Sequence, residues 1–382
     1  MEQIKRFVDC AVPVMTCNLR CPYCYITQER KFLNDLPNFK YSPEIVEKAF
    51  APERWGGIIH INLCGGGETL LPPEMPKYIY AMLKQGHYVA VVTNGTVTKS
   101  FKDICEFPKE FLERLLFKFS FHYLELKRLK MLEKFFDNIK MVKEAGCSYS
   151  LELTPSDDYL PYIEEIKSVC LEKMGALCHV TVARKETDPE LPILTKLKKE
   201  EYYNIWGQFE SELFSFKMKT FNVKRKEFCY AGEWTSYLNL GTGVLKQCYC
   251  GAVLQNIFND PEEPIKWKPI GANCPEPHCH NAHVWLTLGA IPSLNTPTYA
   301  AMRDRKLSDD THWLNTRMQS FLSGKLCDNN YVYTSEEEKK INRKEKWHVF
   351  FTYEMRSAAK SAFYLLPKSV QVFMLKKIRH NK

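Results

Sequence analysis

The sequence predicts an α/β fold built as an open, partial barrel, and three patterns point to it. From the start to about residue 215, short apolar runs alternate with helix-like stretches, the pattern of a parallel sheet with helical crossovers. Inside the runs, apolar and polar residues alternate. Several helix-like stretches end in glycine, at Gly86, Gly146 and Gly175, as helix C-termini tend to.

Taken in order, the first run is "FVDCAVPVM". In "IIHINLC", Ile59, Ile61 and Leu63 share one face, and His60, Asn62 and Cys64 the other. In "FKFSFHY", Phe117, Phe119 and Phe121 oppose Lys118, Ser120 and His122. In "SYSLELT", Tyr149, Leu151 and Leu153 oppose Ser148, Ser150, Glu152 and Thr154. In "HVTV", Val180 and Val182 oppose His179 and Thr181. A parallel strand covered on both faces reads as a nearly continuous apolar run, and a closed eight-stranded barrel fills its middle with branched apolar side chains. Here one face is polar, strand after strand. Helices outside and a wet, polar cavity inside satisfy that pattern. An antiparallel sheet with a solvent face is the alternative. Against it stand the helical connectors "SPEIVEKAFAPERW", "MPKYIYAMLKQG", "LEKFFDNIKMVKEAG" and "YIEEIKSVCLEKMG".

The length of 382 residues suits one large domain with one or two smaller ones. A net charge of +8, from 53 Lys and Arg against 45 Asp and Glu, fits an acidic substrate or partner. The basic residues are scattered rather than blocked, so no nucleic-acid partner is expected. Fifteen cysteines occur in a chain that starts "MEQIKRFVDC" without an apolar signal region. No window reaches the roughly 18 apolar residues of a membrane span. The expectation is a reducing, cytoplasmic location, with cysteines as free thiols or metal ligands.

Cys17, Cys21 and Cys24 follow the first run with the spacing C-x3-C-x2-C. They fall in the loop at its C-terminal end, where α/β barrels place their chemistry. A [4Fe–4S] cluster takes four cysteines; with three, one iron keeps an open position for a substrate or cofactor, as a catalytic zinc does. On spacing alone, structural zinc or unrelated cysteines are the alternatives.

The stretch C-N-L-R-C-P-Y-C-Y resembles the signature of the radical S-adenosylmethionine (SAM) enzymes. "CGGGETLL" follows the second strand as that family's G-G-E motif does. "VVTNGT" resembles its third strand and turn, and "KFSFHY" its fourth. Together these cover about the first 200 residues. The resemblance implies a (β/α)6 TIM-like partial barrel over residues 1–215, with a [4Fe–4S] cluster on Cys17, Cys21 and Cys24 and SAM at the open iron. Tyr23 would touch the adenine through its backbone. Gly66, Gly67 and Glu68 would hold the methionine amino group, and Ser120 the ribose. Glycine permits close backbone approach, and a carboxylate suits an ammonium. A reduced cluster would cleave SAM, and the 5′-deoxyadenosyl radical would take a hydrogen from substrate; the protein supplies position and exclusion of side reactions. A one-electron reductant such as flavodoxin or ferredoxin is the implied partner.

A second set runs "CYAGEWTSYLNLGTGVLKQCYC" and then "NCPEPHCHNAH". Cys229, Gly243 and Cys248 fit C-x13-G-x4-C, which resembles the opening of the SPASM and Twitch auxiliary-cluster domains. "YLNLGTGVLKQC" reads as a β-hairpin turned at Gly241–Gly243. By the resemblance, Cys229, Cys248, Cys274 and Cys279 would hold one auxiliary [4Fe–4S] cluster within residues 216–290, with Cys250 competing. The last pair is C-x4-C rather than C-x2-C, and too few cysteines follow for a second auxiliary cluster. Structural zinc on Cys274, Cys279, His280 and His283 is the alternative.

Residues 291–382 are expected to form a helical C-terminal extension. "SLNTPTYAAMRDRKLSDDTHWLNTRMQSFLSGKL" looks helical and amphipathic. "SAAKSAFYLLPKSVQVFMLKKIRHNK" fits docking on its own domain better than on a membrane surface. The polar lumen residues His60, Asn62, His122, Glu152 and Thr154 are candidates to line the substrate site, with His122 and Glu152 as catalytic candidates. Cys17 comes so early that no peptide-leader-binding domain is expected before the barrel. That shifts weight toward oxidation or other modification of a carbohydrate-type or small substrate. A maturase of ribosomally made peptides or proteins is the alternative, and an iron–sulfur or zinc protein that does not cleave SAM is the non-enzyme one.

Overall fold

The structure, a computed structural model, describes residues 2–349 except 189, 273 and 275, with a few positions between 362 and 370. Six parallel strands come first: β1 (Arg6–Val12), β2 (Ile59–Gly65), β3 (Tyr88–Thr93), β4 (Leu115–Ser120), β5 (Ser148–Leu153) and β6 (His179–Val180). The antiparallel alternative is therefore wrong, and the reason is the connectors. They fold as helices, among them Pro43–Ala49, Met75–Lys84, Leu132–Glu144 and Ile163–Met174, and a helical crossover returns the chain in the same direction. Gly86, Gly146 and Gly175 just beyond them take positive φ (84°, 96° and 72°), the left-handed stop that glycine tolerates.

The sheet does not end at the barrel. β7 (Thr235–Asn239) adds to β1 in parallel, and β8 (Val244–Lys246) and β9 (Val253–Asn256) continue antiparallel, in the order β6-β5-β4-β3-β2-β1-β7-β8-β9. The expected hairpin forms between β7 and β8, with Leu238 opposite Leu245. Gly243 closes it at φ +73°, where a Cβ would lie 2.5 Å from Asn256 Oδ1. The third strand, β9, had no legible signal. Because β7 hydrogen-bonds to β1, the second cysteine set is built on the same sheet as the first.

The alternation along the strands is real. Ile59, Ile61 and Leu63 are fully buried in one cluster with Ile79, Met82 and Leu83 of the covering helix. The lumen face differs from the wet cavity expected, because its lower half is filled. His60 is fully buried, with the Phe7 ring 5.6 Å and the Tyr299 ring 5.5 Å away. Tyr299 comes from the C-terminal stretch, which closes the barrel floor. Trp313 accepts the Tyr149 N–H at 3.0 Å, Asn315 N donates to Ser148 Oγ at 2.9 Å, and Phe321 stacks on Tyr88 at 3.6 Å. Tyr299, Leu314, Met318 and Phe321 share a core with Phe7, Tyr88, Trp234 and Val284. Packing thus continues across residue 291. Of the stretch expected to be helical and amphipathic, Thr316–Ser323 is the main helix, and residues 296–315 run as turns. Its apolar residues are spaced to fill a barrel mouth, not to make one helix face. The terminal segment considered for membrane docking, residues 357–382, lies outside the described residues except for a few positions between 362 and 370.

Candidate functional site

The loop after β1 carries Cys17, Cys21 and Cys24 to the C-terminal rim of the sheet. All three line one cavity of about 360 Å³, with Gly65, Gly66, Gly67, Glu68, Ser120, His122 and Thr154. Tyr23 lines it too. One cavity therefore gathers both rim motifs and the end of β4.

The loop is held from behind by a polar network. Cys17 Sγ accepts from Leu19 N at 3.4 Å and from Asn94 Nδ2 at 3.7 Å. Asn94 also donates to Asn18 Oδ1 at 2.8 Å, and Asn18 Nδ2 donates to Thr96 Oγ1 at 2.7 Å. Such amide donors stabilise a thiolate. Sequence reading placed Asn94 in a strand–turn motif but gave it no role.

Gly67 N donates to Val14 O at 2.7 Å, and Glu68 N donates to Thr16 O at 3.0 Å. A Cβ on Gly67 would lie 2.0 Å from Thr16 O, and one on Gly66 2.6 Å from Met15 Sδ. These glycines are needed first for contact with the cysteine loop itself; the expectation had reserved that closeness for a ligand. Glu68 is 2 % exposed. It accepts from Thr93 Oγ1 at 2.6 Å, Leu70 N at 3.0 Å and Asn94 N at 2.7 Å. Burial raises its pKa, and those three bonds oppose the rise. A carboxylate has about four acceptor sites, so one is left for an ammonium.

Tyr23 and His122 are tied together. Tyr23 Oη lies 2.7 Å from His122 Nδ1 and 2.8 Å from Tyr159 Oη. Burial lowers the His122 pKa to about 4, so the ring is neutral near pH 7. The Tyr23 carbonyl already accepts from Gln28 Nε2 at 2.9 Å, and Gln28 Nε2 also donates to Arg184 O at 3.0 Å. Gln28, unnoticed in the sequence, stitches the cysteine loop to the strand end past β6.

The other lumen candidates sit deeper. Glu152 forms a 2.7 Å ion pair with the fully buried Arg303 of the floor, a partner no local pattern announced. Asn62 donates to Asp9 Oδ1 at 2.8 Å and accepts from Lys118 Nζ at 3.3 Å. Asp9 also accepts from Asn281 Nδ2 at 2.9 Å and from the Tyr249 hydroxyl. His60, Asn62 and Glu152 are absent from the walls of the cavity, while His122 and Thr154 belong to them.

A second cavity, of about 500 Å³, adjoins the first and shares Tyr25, Cys64, Val182, Arg184, Glu186 and His283 with it. Its far wall holds Cys279. Around that wall the second cysteine set assembles from three loops. Cys229 exchanges backbone hydrogen bonds with Gly271 at 3.2 and 3.0 Å, which brings it beside the loop of Cys274 and Cys279. Both of those thiols act on its pKa. Cys248 and Cys250 have their sulfurs 3.1 Å apart, and Cys250 also bonds to Cys274. These pairwise contacts link the five thiols around that wall, with Cys248 and Cys250 both among them. Among the described residues, no three His, Cys, Asp or Glu side chains close on a point as a single metal ion requires. Of the alternative zinc set Cys274, Cys279, His280 and His283, His280 bonds Glu276 at 2.8 Å and His283 faces both cavities.

Residues 12–155, most of the parallel barrel, match the family model of the radical SAM superfamily. That superfamily uses a [4Fe–4S] cluster and SAM. Three cavity-lining thiols beside a glycine–carboxylate rim fit both groups. No curated protein matches the chain. Among solved structures, the chain is similar to Streptococcus suis SuiB bound to SAM, at 14 % identity over 67 % of this chain and 64 % of that one, TM-score 0.47. It is similar to anSMEcpe with bound AdoMet, at 14 % identity over 67 % and 79 %, TM-score 0.44. A third is BtrN in complex with AdoMet and 2-DOIA, at 11 % identity over 68 % and 81 %, TM-score 0.32. The chain spans less than two thirds of the length of SuiB. Among the described residues no helix is long and apolar enough to cross a membrane.

Proposed function

We propose that this protein is a radical SAM enzyme that oxidises or otherwise modifies a carbohydrate-type or small substrate held between two iron–sulfur clusters. The supporting observation is the pair of adjoining cavities. One end is rimmed by Cys17, Cys21 and Cys24, and the other reaches Cys279. A volume of about 500 Å³ lies in the range of small-molecule sites.

The first cluster would sit on Cys17, Cys21 and Cys24, and the second on Cys229, Cys274, Cys279 and either Cys248 or Cys250. When bound, cluster and SAM supply the electron and the 5′-deoxyadenosyl radical that takes a hydrogen atom from substrate. This chain's residues bind and orient. Glu68 would offer its spare acceptor site to the methionine ammonium, and Ser120 would hold the ribose. Tyr23 and His122 form a neutral wall of the first cavity. Glu152, fixed by Arg303, holds the floor below. A one-electron reductant of flavodoxin or ferredoxin type, usually acidic, suits the net charge of +8.

The test is anaerobic reconstitution followed by SAM and dithionite. The expected result is 5′-deoxyadenosine and about eight iron atoms per chain for two four-iron clusters. Full iron loading without 5′-deoxyadenosine above the protein-free blank would reduce the protein to an iron–sulfur binder.

A further inference from the structure

In and around the larger of the two adjoining cavities, the charges of the described residues pair unevenly. Arg184 is paired with Glu186 at 2.8 Å, His280 with Glu276 at 2.8 Å and Arg303 with Glu152 at 2.7 Å. Lys118 reaches Asp9 through Asn62. Lys217 is left over. Its Nζ donates to the neutral Thr181 Oγ1 at 2.6 Å, and it lines the cavity wall. The carboxylate that acts on it most, Glu152, already belongs to Arg303.

A sequestered ammonium without a carboxylate is costly, and two of its three protons are uncommitted. Burial, then Arg184 and Arg303, lowers the Lys217 pKa to about 7. That is the mark of a cation whose counter-charge is missing. A second feature of the wall points the same way. His278 is 2 % exposed, lines the cavity, and has no hydrogen-bond partner for either ring nitrogen among the described residues. Buried imidazoles are ordinarily hydrogen-bonded, so this one has a donor to give to a ligand.

We propose that the substrate carries an anionic group, phosphate or carboxylate, seated in the larger cavity with Lys217 as its counter-ion and Arg184 and His278 as further donors. Arg184 is already turned to this place by Glu186 and lies 3.4 Å from His280 Nδ1. The proposal rests on the reading of this cavity as the substrate site. It deepens that reading by naming the group recognised.

A matched series tests it: glycerol 3-phosphate, glycerate and glycerol, titrated calorimetrically into the reconstituted, SAM-loaded protein. At least one anion is expected to bind ten-fold or more tighter than glycerol, and the tighter of the two identifies the group. Lys217→Met should weaken that anion about ten-fold or more, while Lys217→Arg stays within about three-fold of wild type. Equal binding of all three probes, binding of none, or an unchanged Kd in Lys217→Met would overturn it. The wild-type series decides the matter even if Lys217→Met does not fold. Measuring 5′-deoxyadenosine in the same preparation separates the two ideas. Its formation without anion preference removes this inference alone; anion binding without it removes the radical reading alone.

Discussion

The two cysteine sets occupy opposite ends of one pair of cavities and are made in opposite ways. The first is local: Cys17, Cys21 and Cys24 lie within eight residues of one another in a single loop. Its backing comes from neighbouring strand ends, through Asn94, Gly67 and Glu68. The second is assembled from three loops that span fifty-one residues, Cys229 to Cys279, and depends on the β7–β8 hairpin and the Cys229–Gly271 bridge. A local set can exist as soon as its loop forms. A dispersed set exists only once the sheet has folded, so a cluster held there would be tied to folding.

The largest effect should come from breaking the two sets separately. Cys21→Ala removes a donor from the cavity rim, and 5′-deoxyadenosine formation should fall at least 10³-fold. Losing the site of bond cleavage costs far more than losing an orienting group. Cys279→Ala should leave that cleavage within about ten-fold of wild type while iron falls from about eight to about four atoms per chain. Cys248→Ser and Cys250→Ser then settle the remaining ligand, since only one of them should lower the iron. Equal loss of 5′-deoxyadenosine in Cys21→Ala and Cys279→Ala would mean that the sets do not act as separate centres.

The same local-versus-dispersed contrast explains what was legible in the sequence. The barrel could be read because its signals are local: alternation in "IIHINLC" and "FKFSFHY", and glycine stops after helices. The trio could be read from spacing. The floor could not. Tyr299, Arg303 and Trp313 are placed by tertiary packing, in turns with no periodicity. The alternation marks Glu152 as a lumen carboxylate, but its partner Arg303 lies 151 residues away in that floor. Asp9 stood in the first strand run in plain view. Its importance appears only when Asn62, Tyr249 and Asn281 come to it. Lys217, within a helix rich in Phe and Met (Glu212–Thr220), gave no hint that it faces a cavity.

A middle-sized effect probes how the local set is backed. Gly67→Ala puts a Cβ 2.0 Å from Thr16 O. The obstacle is backbone, so the cysteine loop must move. Overpacking of this kind costs about 1–3 kcal/mol. A urea midpoint should fall accordingly, and SAM affinity with it. Gly243→Ala, in the hairpin that carries the dispersed set, should instead lower iron at the second set and leave SAM affinity near wild type. Its strain comes from φ +73° and a 2.5 Å approach to Asn256 Oδ1. If both variants lost SAM affinity equally, the two ends would not be mechanically separable.

The smallest effect is a pH dependence at the local end. His122 backs the trio's cavity through Tyr23, and burial lowers its pKa to about 4 from an ordinary value near 6.5. Between those values the unfolded chain binds the proton and the folded one does not. The stability that neutral His122 gives is therefore fully present above about pH 6.5 and is lost as pH falls toward 4. The size is on the order of 1 kcal/mol, less than the full shift implies because the ring lines an open cavity. His122→Gln, which cannot take up the proton, should flatten the fall in urea midpoint between pH 6.5 and 4.5. His60 and His87, lowered to about 3 and about 4, add their own slope in both proteins, so the difference between the two curves isolates His122. An identical slope in wild type and variant would mean that His122 titrates alike in the folded and unfolded chain, so that the wall beside the first cysteine set gains charge as pH falls below about 6.5.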